Sequence, residues 1–317
     1  MSDVIYKKRV LFIGVPDMAL LGLDTLWRER VNIVGVLGPL KTHNTYSMFK
    51  SFVEARNLNF IEYDSIRDVD LIERIQALNI DIAVVCSFNN KIPKEFISSI
   101  KDGIINVHPS LLPKYRGGNP YSRAIMNGDT QTGVTIHFMS EELDKGDIIL
   151  QEVCDILPDE TMGTLFDKTN ILGIKLLLKA LQYYEVNGML PRRPQAEGEF
   201  PTAPNIKDSE MYINYDSSAI NIDRLVRALN PYFSAITFFK GQAVRIHKVS
   251  FTELDNIDDY KTGEICKIDN DKVYIKTAKG CIIPEIMQYA GYFIGNCADF
   301  IRIVKPQLGD RFTNGYA

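Results

Sequence analysis

Apolar positions in the first half of the chain form short unbroken runs that alternate with longer amphipathic stretches. Val10 to Ile13 is one such run, closed by Gly14, and Val31 to Leu37, Ile80 to Cys86 and Gly103 to Val107 repeat the pattern. Runs of this kind predict strands buried on both faces. Between them, Asp17 to Arg28 carries Leu20, Leu21, Leu23 and Leu26 at helical spacing. Tyr46 to Arg56 and Asp68 to Leu78 are also helical, with a short strand predicted at Asn59 to Tyr63. Gly133 to Phe138 and Asp147 to Val153 predict two more strands. Thr161 to Asn187 predicts a long helix with Leu165, Leu172, Leu176, Leu178 and Leu181 on its apolar side. The rhythm predicts an α/β fold with a doubly wound, Rossmann-like parallel sheet, which binds ligands beyond the carboxyl ends of its strands.

The pattern then changes. Leu190-Pro191-Arg192-Arg193-Pro194-Gln195, followed by Gly198, Pro201 and Pro204, has proline, glycine and charge without periodicity. It reads as a linker over 190–206 that separates an α/β domain (1–189) from a smaller domain (207–317). In the latter, Ser218 to Leu229 is helical. Short strands are expected at Ala235 to Phe239, Gln242 to Val249, Thr262 to Lys267, Lys272 to Lys276 and Gly280 to Ile286. Short strands separated by glycine and Asp-Asn turns predict a β-rich, OB-like barrel.

Composition narrows the function classes. The 317 residues are 45% hydrophobic and 24% charged, with a formal net charge of -4, which argues against a non-specific nucleic-acid coat. The first apolar run is broken by Pro16 and Asp17, and no later run reaches spanning length, so a soluble cytoplasmic protein with no membrane partner is expected. Five cysteines without a Cys-x-x-Cys pair fit buried thiols in a reducing compartment, and the four histidines show no metal-ligand spacing, so no metal is expected. The turn Gly14-Val15-Pro16-Asp17 is not a dinucleotide-binding Gly-x-Gly-x-x-Gly, and no Walker-type loop is present.

One stretch carries candidate chemistry. Asn106 and His108 alternate at the end of an apolar strand, so both side chains share one face. The loop Pro109-Ser110-Leu111-Leu112-Pro113-Lys114-Tyr115-Arg116-Gly117-Gly118-Asn119-Pro120 follows, pinned by its prolines and glycines. Further on, Gly133-Val134-Thr135-Ile136-His137 precedes Glu142-Leu143-Asp144-Lys145-Gly146-Asp147. Taken alone, a histidine at a strand end is more often structural than catalytic.

In this order and spacing the segments closely resemble the signature of the folate-dependent formyltransferases, and the resemblance extends through the linker to Leu225-Val226-Arg227-Ala228-Leu229-Asn230-Pro231. It implies transfer of a formyl group from 10-formyltetrahydrofolate to a primary amine. It also implies catalytic roles for Asn106, His108 and Asp144. Asn106 would hold the oxygen on which charge develops, His108 would move the amine proton towards N10 of the folate, and Asp144 would orient His108. Asp147 is a weaker candidate for the acid than Asp144. The resemblance places the pterin against Cys86, Ser87, Phe88, Asn89, Asn90, Leu111, Met139, Glu141 and Leu143, and the acceptor against Ser110, Arg116, Asn119 and Tyr121.

Two acceptors stay open. The two-domain layout resembles enzymes that formylate initiator Met-tRNA, and also those acting on nucleotide-linked amino sugars; no DNA partner is expected. The segment Gly38 to Tyr46, where the tRNA enzymes carry a basic insertion, offers only Lys41 and His43. Charge for a tRNA would then come from Arg192, Arg193, Lys240, Arg245 and Lys248.

Overall fold

A computed structural model describes residues 5–88, 90–291 and 293–315. The chain folds as two compact units: 1–117, 132–154 and 168–202 form the first, and 118–131, 155–167 and 203–317 the second. In chain order the elements up to the linker are β1 (Val10–Gly14), α1 (Met18–Arg28), β2 (Ile33–Leu37), α2 (Tyr46–Glu54), α3 (Val69–Ala77), β3 (Ile82–Cys86), α4 (Lys94–Ser98), β4 (Ile104–His108), α5 (Pro120–Asn127), β5 (Gln131–Phe138), β6 (Ile148–Asp155) and α6 (Met162–Asn187).

The first unit is built on a sheet with strand order β2-β1-β3-β4-β5-β6. The β1–β2, β1–β3 and β3–β4 pairs are parallel, whereas β5 runs antiparallel to β4. Because strand side chains alternate, each central strand feeds two cores. Val10, Phe12, Ile82, Val84, Cys86, Ile105 and Val107 pack on one face with α1 and the Ile174 to Tyr184 part of α6. Leu11, Ile13, Ala83, Val85 and Ile104 pack on the other with Leu71, Ile75 and Phe96. Asn106 and His108 continue the Ile104 face of β4, so the polar pair emerges at the carboxyl end of that second face. The expected strand at Asn59 to Tyr63 is reduced to one parallel bridge, Val36 to Phe60.

The second unit continues with α7 (Ala219–Leu229), β7 (Ala235–Phe239), β8 (Gln242–Thr252), β9 (Ile265–Asp269), β10 (Lys272–Lys276), β11 (Cys281–Tyr289), β12 (Phe293–Asn296), α8 (Cys297–Val304) and β13 (Phe312–Thr313). Its sheet runs β13-β7-β8-β11-β10-β9, with β12 also paired to β11, and every recorded pair is antiparallel. The two ends meet. Ile265 N donates to Asp310 O at 2.9 Å, Gly309 N to Ile265 O at 3.0 Å and Phe312 N to Gly263 O at 2.8 Å, so the sheet curls into a barrel-like layer. Its core is Ile222, Val226, Phe239, Ile246, Ile275, Met287, Phe300 and Phe312. The segment containing α5 packs here: Ser122 Oγ donates to Ala228 O at 2.8 Å, and Arg123 pairs with Glu210 at 2.5 Å. Among the described residues, no helix is long and apolar enough to cross a membrane.

Candidate active site

The antiparallel β4–β5 ladder sets the site. Its register places His137 across from Asn106 and Thr135 across from His108, so four polar side chains share one patch of sheet. The hydrogen bonds of His137 fix its tautomer. Its Nδ1 lies 2.8 Å from the Phe138 carbonyl, which can only accept, so Nδ1 carries the proton. Nε2 is then an acceptor, and Asn106 Nδ2 donates to it at 3.2 Å. Burial, reinforced by the neighbouring His108 and opposed by the Asp144 carboxylate, pulls the His137 pKa down to about 4. A neutral His137 therefore fixes which end of the Asn106 amide points towards it. The second Nδ2 hydrogen is left for another acceptor.

His108 is buried at 4% exposure. Its Nε2 donates to the Tyr115 carbonyl at 2.9 Å and its Nδ1 faces Asp144 Oδ2 at 3.7 Å. The other Asp144 oxygen lies 3.7 Å from His137 Nε2. One carboxylate thus sits between two imidazoles. It also accepts the Gly117 N–H at 2.9 Å, which ties the loop after β4 to the loop after β5.

Both loops are locally determined. Thr135 Oγ1 donates to Ser110 O at 2.6 Å and accepts from Leu112 N at 3.1 Å and Gln151 Nε2 at 3.0 Å, holding the chain as it leaves β4. The loop 139–146 is pinched shut where Phe138 N donates to Asp147 O at 2.9 Å. A Cβ at Gly146 would run into the Phe138 carbonyl, so the pinch requires glycine two residues after Asp144. Asp144 itself has φ of 54°, a left-handed conformation that aspartate tolerates better than most residues.

A cavity of about 620 Å³ opens over this patch, within the usual range for a small-molecule site. Val85, Phe88, Ile92, Met139 and Leu143 give it apolar walls, while Asn106, His137 and Asp144 supply convergent polar groups. A planar heterocycle with a polar edge fits this combination. Among the described residues, no group of three or more His, Cys, Asp or Glu is placed to hold a metal ion.

The same segments carry the likeness to known proteins. The formyl transferase family matches residues 34–181, and the family of formyl transferase C-terminal domains matches 205–304. The chain belongs to the formyltransferase family. It is 32% identical over 312 residues to a methionyl-tRNA formyltransferase from Agathobacter rectalis, covering 96% of this chain and 99% of that one. It is 34% identical over 314 residues to one from Bacillus mycoides, covering 96% and 98%. Among solved structures, the fold matches the N-formyltransferase from Helicobacter canadensis in complex with folinic acid and dTDP-3-aminofucose. That match has a TM-score of 0.69 at 19% identity and covers 87% of this chain and 98% of that one. HypX from Aquifex aeolicus in complex with tetrahydrofolic acid matches with a TM-score of 0.62 at 19% identity, covering 92% and 46%. Proteins of this family carry out folate-dependent N-formyl transfer, and the fold is theirs.

In this formyltransferase the residues singled out in the sequence have the following places. Asn106, His108 and Asp144 converge, and Phe88, Asn90, Met139, Glu141 and Leu143 line the cavity; Asn89 lies outside the described residues. Cys86 is fully buried on the opposite face of β3, where burial pushes its thiol up to about 12. Ser87 accepts Val15 N at its carbonyl at 2.7 Å. Leu111 packs where a Gly133 side chain would be, and Ser110 Oγ is spent on Lys114 O at 2.7 Å. Arg116 donates from Nε and Nη2 to Gln195 Oε1 at 3.1 and 2.6 Å. Asn119 and Tyr121 belong to the second unit, where Asn119 Nδ2 donates to Asn205 Oδ1 at 3.2 Å and Tyr121 packs edge-on to Phe166. Sequence reasoning assigns no role to Thr135, His137 or Gln195. The alternation of Thr135 and His137 mirrors that of Asn106 and His108 and is the signal that points to the first two.

Proposed function

We propose that this formyltransferase transfers the formyl group of 10-formyltetrahydrofolate to the α-amino group of the methionine carried by initiator tRNA, in the cytoplasm. The observation that carries the reading is that Asn106 and Asp144 line an apolar-walled cavity, with the buried His108 3.7 Å from the Asp144 carboxylate. The near full-length likeness to methionyl-tRNA formyltransferases supports the choice of acceptor.

The acceptor amine attacks the formyl carbon, the carbon–N10 bond breaks, and one proton passes from the amine to N10. Asn106 is held by His137 with one Nδ2 hydrogen free, and donates it to the formyl oxygen as charge develops there. His108 releases the Tyr115 carbonyl and presents Nε2 to the reacting groups, while Asp144 holds its Nδ1 side. Phe88, Met139 and Leu143 wall the pterin slot and exclude water. Arg116 supplies a cation for the acceptor.

A nucleotide-linked amino sugar is the second reading, and the charge pattern favours it. In the short Gly38 to Tyr46 segment, Lys41 pairs with Glu62 at 3.1 Å. Elsewhere Arg192 pairs with Asp147 at 3.6 Å, Lys240 with Asp310 at 2.8 Å and Lys248 with Glu285 at 2.8 Å, and Arg193 donates to Gln151 Oε1 at 2.8 Å. The deciding experiment offers the enzyme 10-formyltetrahydrofolate with charged initiator tRNA and with nucleotide-linked 3-amino and 4-amino sugars. Preferred formylation of the tRNA is expected; formylation of a sugar alone overturns the tRNA reading. Asn106→Ala, His108→Ala and Asp144→Ala should each lower turnover about a hundredfold or more, the usual scale for losing an oxyanion donor or proton-transfer group.

A further inference from the structure

Gln195 sits in a segment that otherwise faces solvent. From Pro191 to Glu199 it is the one residue that is not exposed. A glutamine side chain has two N–H donors and an oxygen with two lone pairs, and here all four are used. Nε2 donates to Asp144 O at 2.7 Å and to Gly146 O at 2.9 Å. Oε1 accepts from Arg116 Nε at 3.1 Å and from Arg116 Nη2 at 2.6 Å. One side chain therefore clasps the backbone on both sides of Lys145, in the loop that carries Asp144, and the guanidinium that follows the loop after β4.

We propose that Gln195 is a positioning residue for formyl transfer, aiming the Asp144 carboxylate and presenting Arg116 to an anionic group of the acceptor as an uncompensated cation. The proposal rests on the reading of Asp144 as catalytic. Two features carry it. The anchored carbonyls belong to Asp144 and Gly146, at and just after the left-handed Asp144, whose side chain lies between His108 and His137. And the partner of Arg116 is a neutral amide. A carboxylate would satisfy the same two-pronged geometry, but it would cancel the arginine's charge and face two carbonyl oxygens with no proton to offer. The charge of Arg116 is felt in the site, since it helps to depress the pKa values of His137 and Glu142. A neutral clamp leaves that charge for the substrate.

Three variants of the full chain test this: Gln195→Met, which keeps size and removes all four hydrogen bonds; Gln195→Glu, which keeps the Arg116 contact alone; and Asp144→Ala. Initiator methionyl-tRNA and 10-formyltetrahydrofolate are the substrates. Gln195→Met should lower kcat by about tenfold to a hundredfold, the effect of misplacing a catalytic group by about 1 Å, and raise KM for the acceptor. Gln195→Glu should do no better on either count. In the Asp144→Ala background Gln195→Met should cost less than about twofold further in kcat, because residues acting as one unit are not additive. Hydrogen–deuterium exchange, which needs no acceptor, should speed up in the peptide covering 139–147 of Gln195→Met while the barrel peptides stay unchanged. Unchanged exchange there overturns the proposal. So does an undiminished kcat in Gln195→Met beside a crippled Asp144→Ala, or a Gln195→Met cost that is equal in both backgrounds. Near-normal turnover in Asp144→Ala instead overturns the catalytic reading on which the proposal stands.

Discussion

Replacing His137 by glutamine should flatten the acid dependence of folding. His137 is 1% exposed, and its pKa falls from 6.5 to about 4 in the folded state. As pH drops below 6.5 the unfolded chain takes up a proton at this position while the folded chain does not, so stability falls. The loss stops growing only near pH 4, where the folded form also binds the proton. A shift from 6.5 to about 4 costs roughly 2 kcal/mol by pH 5 and roughly 3 kcal/mol by pH 4 relative to neutral pH, at 1.36 kcal/mol per pKa unit. Glutamine does not titrate, so its variant lacks this component whatever constant offset it introduces. The carboxylates held low, among them Asp24 and Glu62, also destabilise the fold when protonated at acid pH, but they do so equally in both proteins and cancel in the difference. The assay is urea unfolding of wild type and His137→Gln from pH 7.5 to 4.5, followed by a probe of the first unit. The gap between the two curves should close by roughly 2 kcal/mol between pH 7 and 5. Parallel curves would refute the picture of a buried neutral imidazole that accepts from Asn106.

Gly146→Ala should cut turnover by about tenfold or more with the fold retained, because the new methyl group opens the Phe138–Asp147 pinch and displaces the Asp144 loop by around 1 Å; steady-state kinetics beside circular dichroism checks this. Thr135→Val keeps the shape but leaves the Ser110 carbonyl and the Leu112 N–H without their partner, at about 1–3 kcal/mol for each buried group left unpaired, readable as a lowered denaturation midpoint. With a tRNA acceptor, kcat/KM should fall steeply between about 50 and 200 mM salt through counterion release, whereas a sugar nucleotide should give a shallow slope. A shallow slope with efficient tRNA formylation would contradict the phosphate-contact account.

The strand–helix rhythm of the first unit is legible because its strands are apolar on both faces and its helices amphipathic; β1, β3 and β4 lie within two residues of their sequence positions. What the pattern does not carry is direction. Thr135 and His137 alternate equally well in a parallel or an antiparallel strand, and only pairing opposite Asn106 and His108 makes them part of the site. Asn59 to Tyr63 has strand-like residues but makes a single bridge. Thr262 to Lys267 shifts to Ile265–Asp269 because a turn, closed by Glu264 N to Lys261 O at 3.0 Å, takes its first residues. Helix α8 is not among the expected elements although it has a start signal, Asn296 accepting from Asp299 N at 2.9 Å. The resemblance puts Cys86 in the pterin slot by its place at a strand exit. The two-residue period instead sets its side chain with Ile82 and Val84 on the far face, while Val85 lines the cavity.

The proposed catalytic constellation depends on uncharged groups as much as on its charged ones. Asp144 has two imidazoles and one amide N–H within reach, and if both histidines took protons its carboxylate would be shared between two cations. Burial, reinforced by the neighbouring His108, keeps His137 neutral, and the Phe138 carbonyl holds its one proton on Nδ1, which leaves Asn106 with a fixed orientation. Gln195 does the same for Arg116, matching the guanidinium fork without cancelling its charge. In both places a neutral hydrogen-bonding side chain stands where a charged one would compete with the substrate. A change of either to a permanently charged residue, Gln195→Glu or His137→Lys, should therefore harm turnover more than the matching apolar change, Gln195→Met or His137→Met. Paired kinetics on the four variants decide it: if the charged members of both pairs outperform the apolar ones, the preference for neutral partners has no part in the site's function.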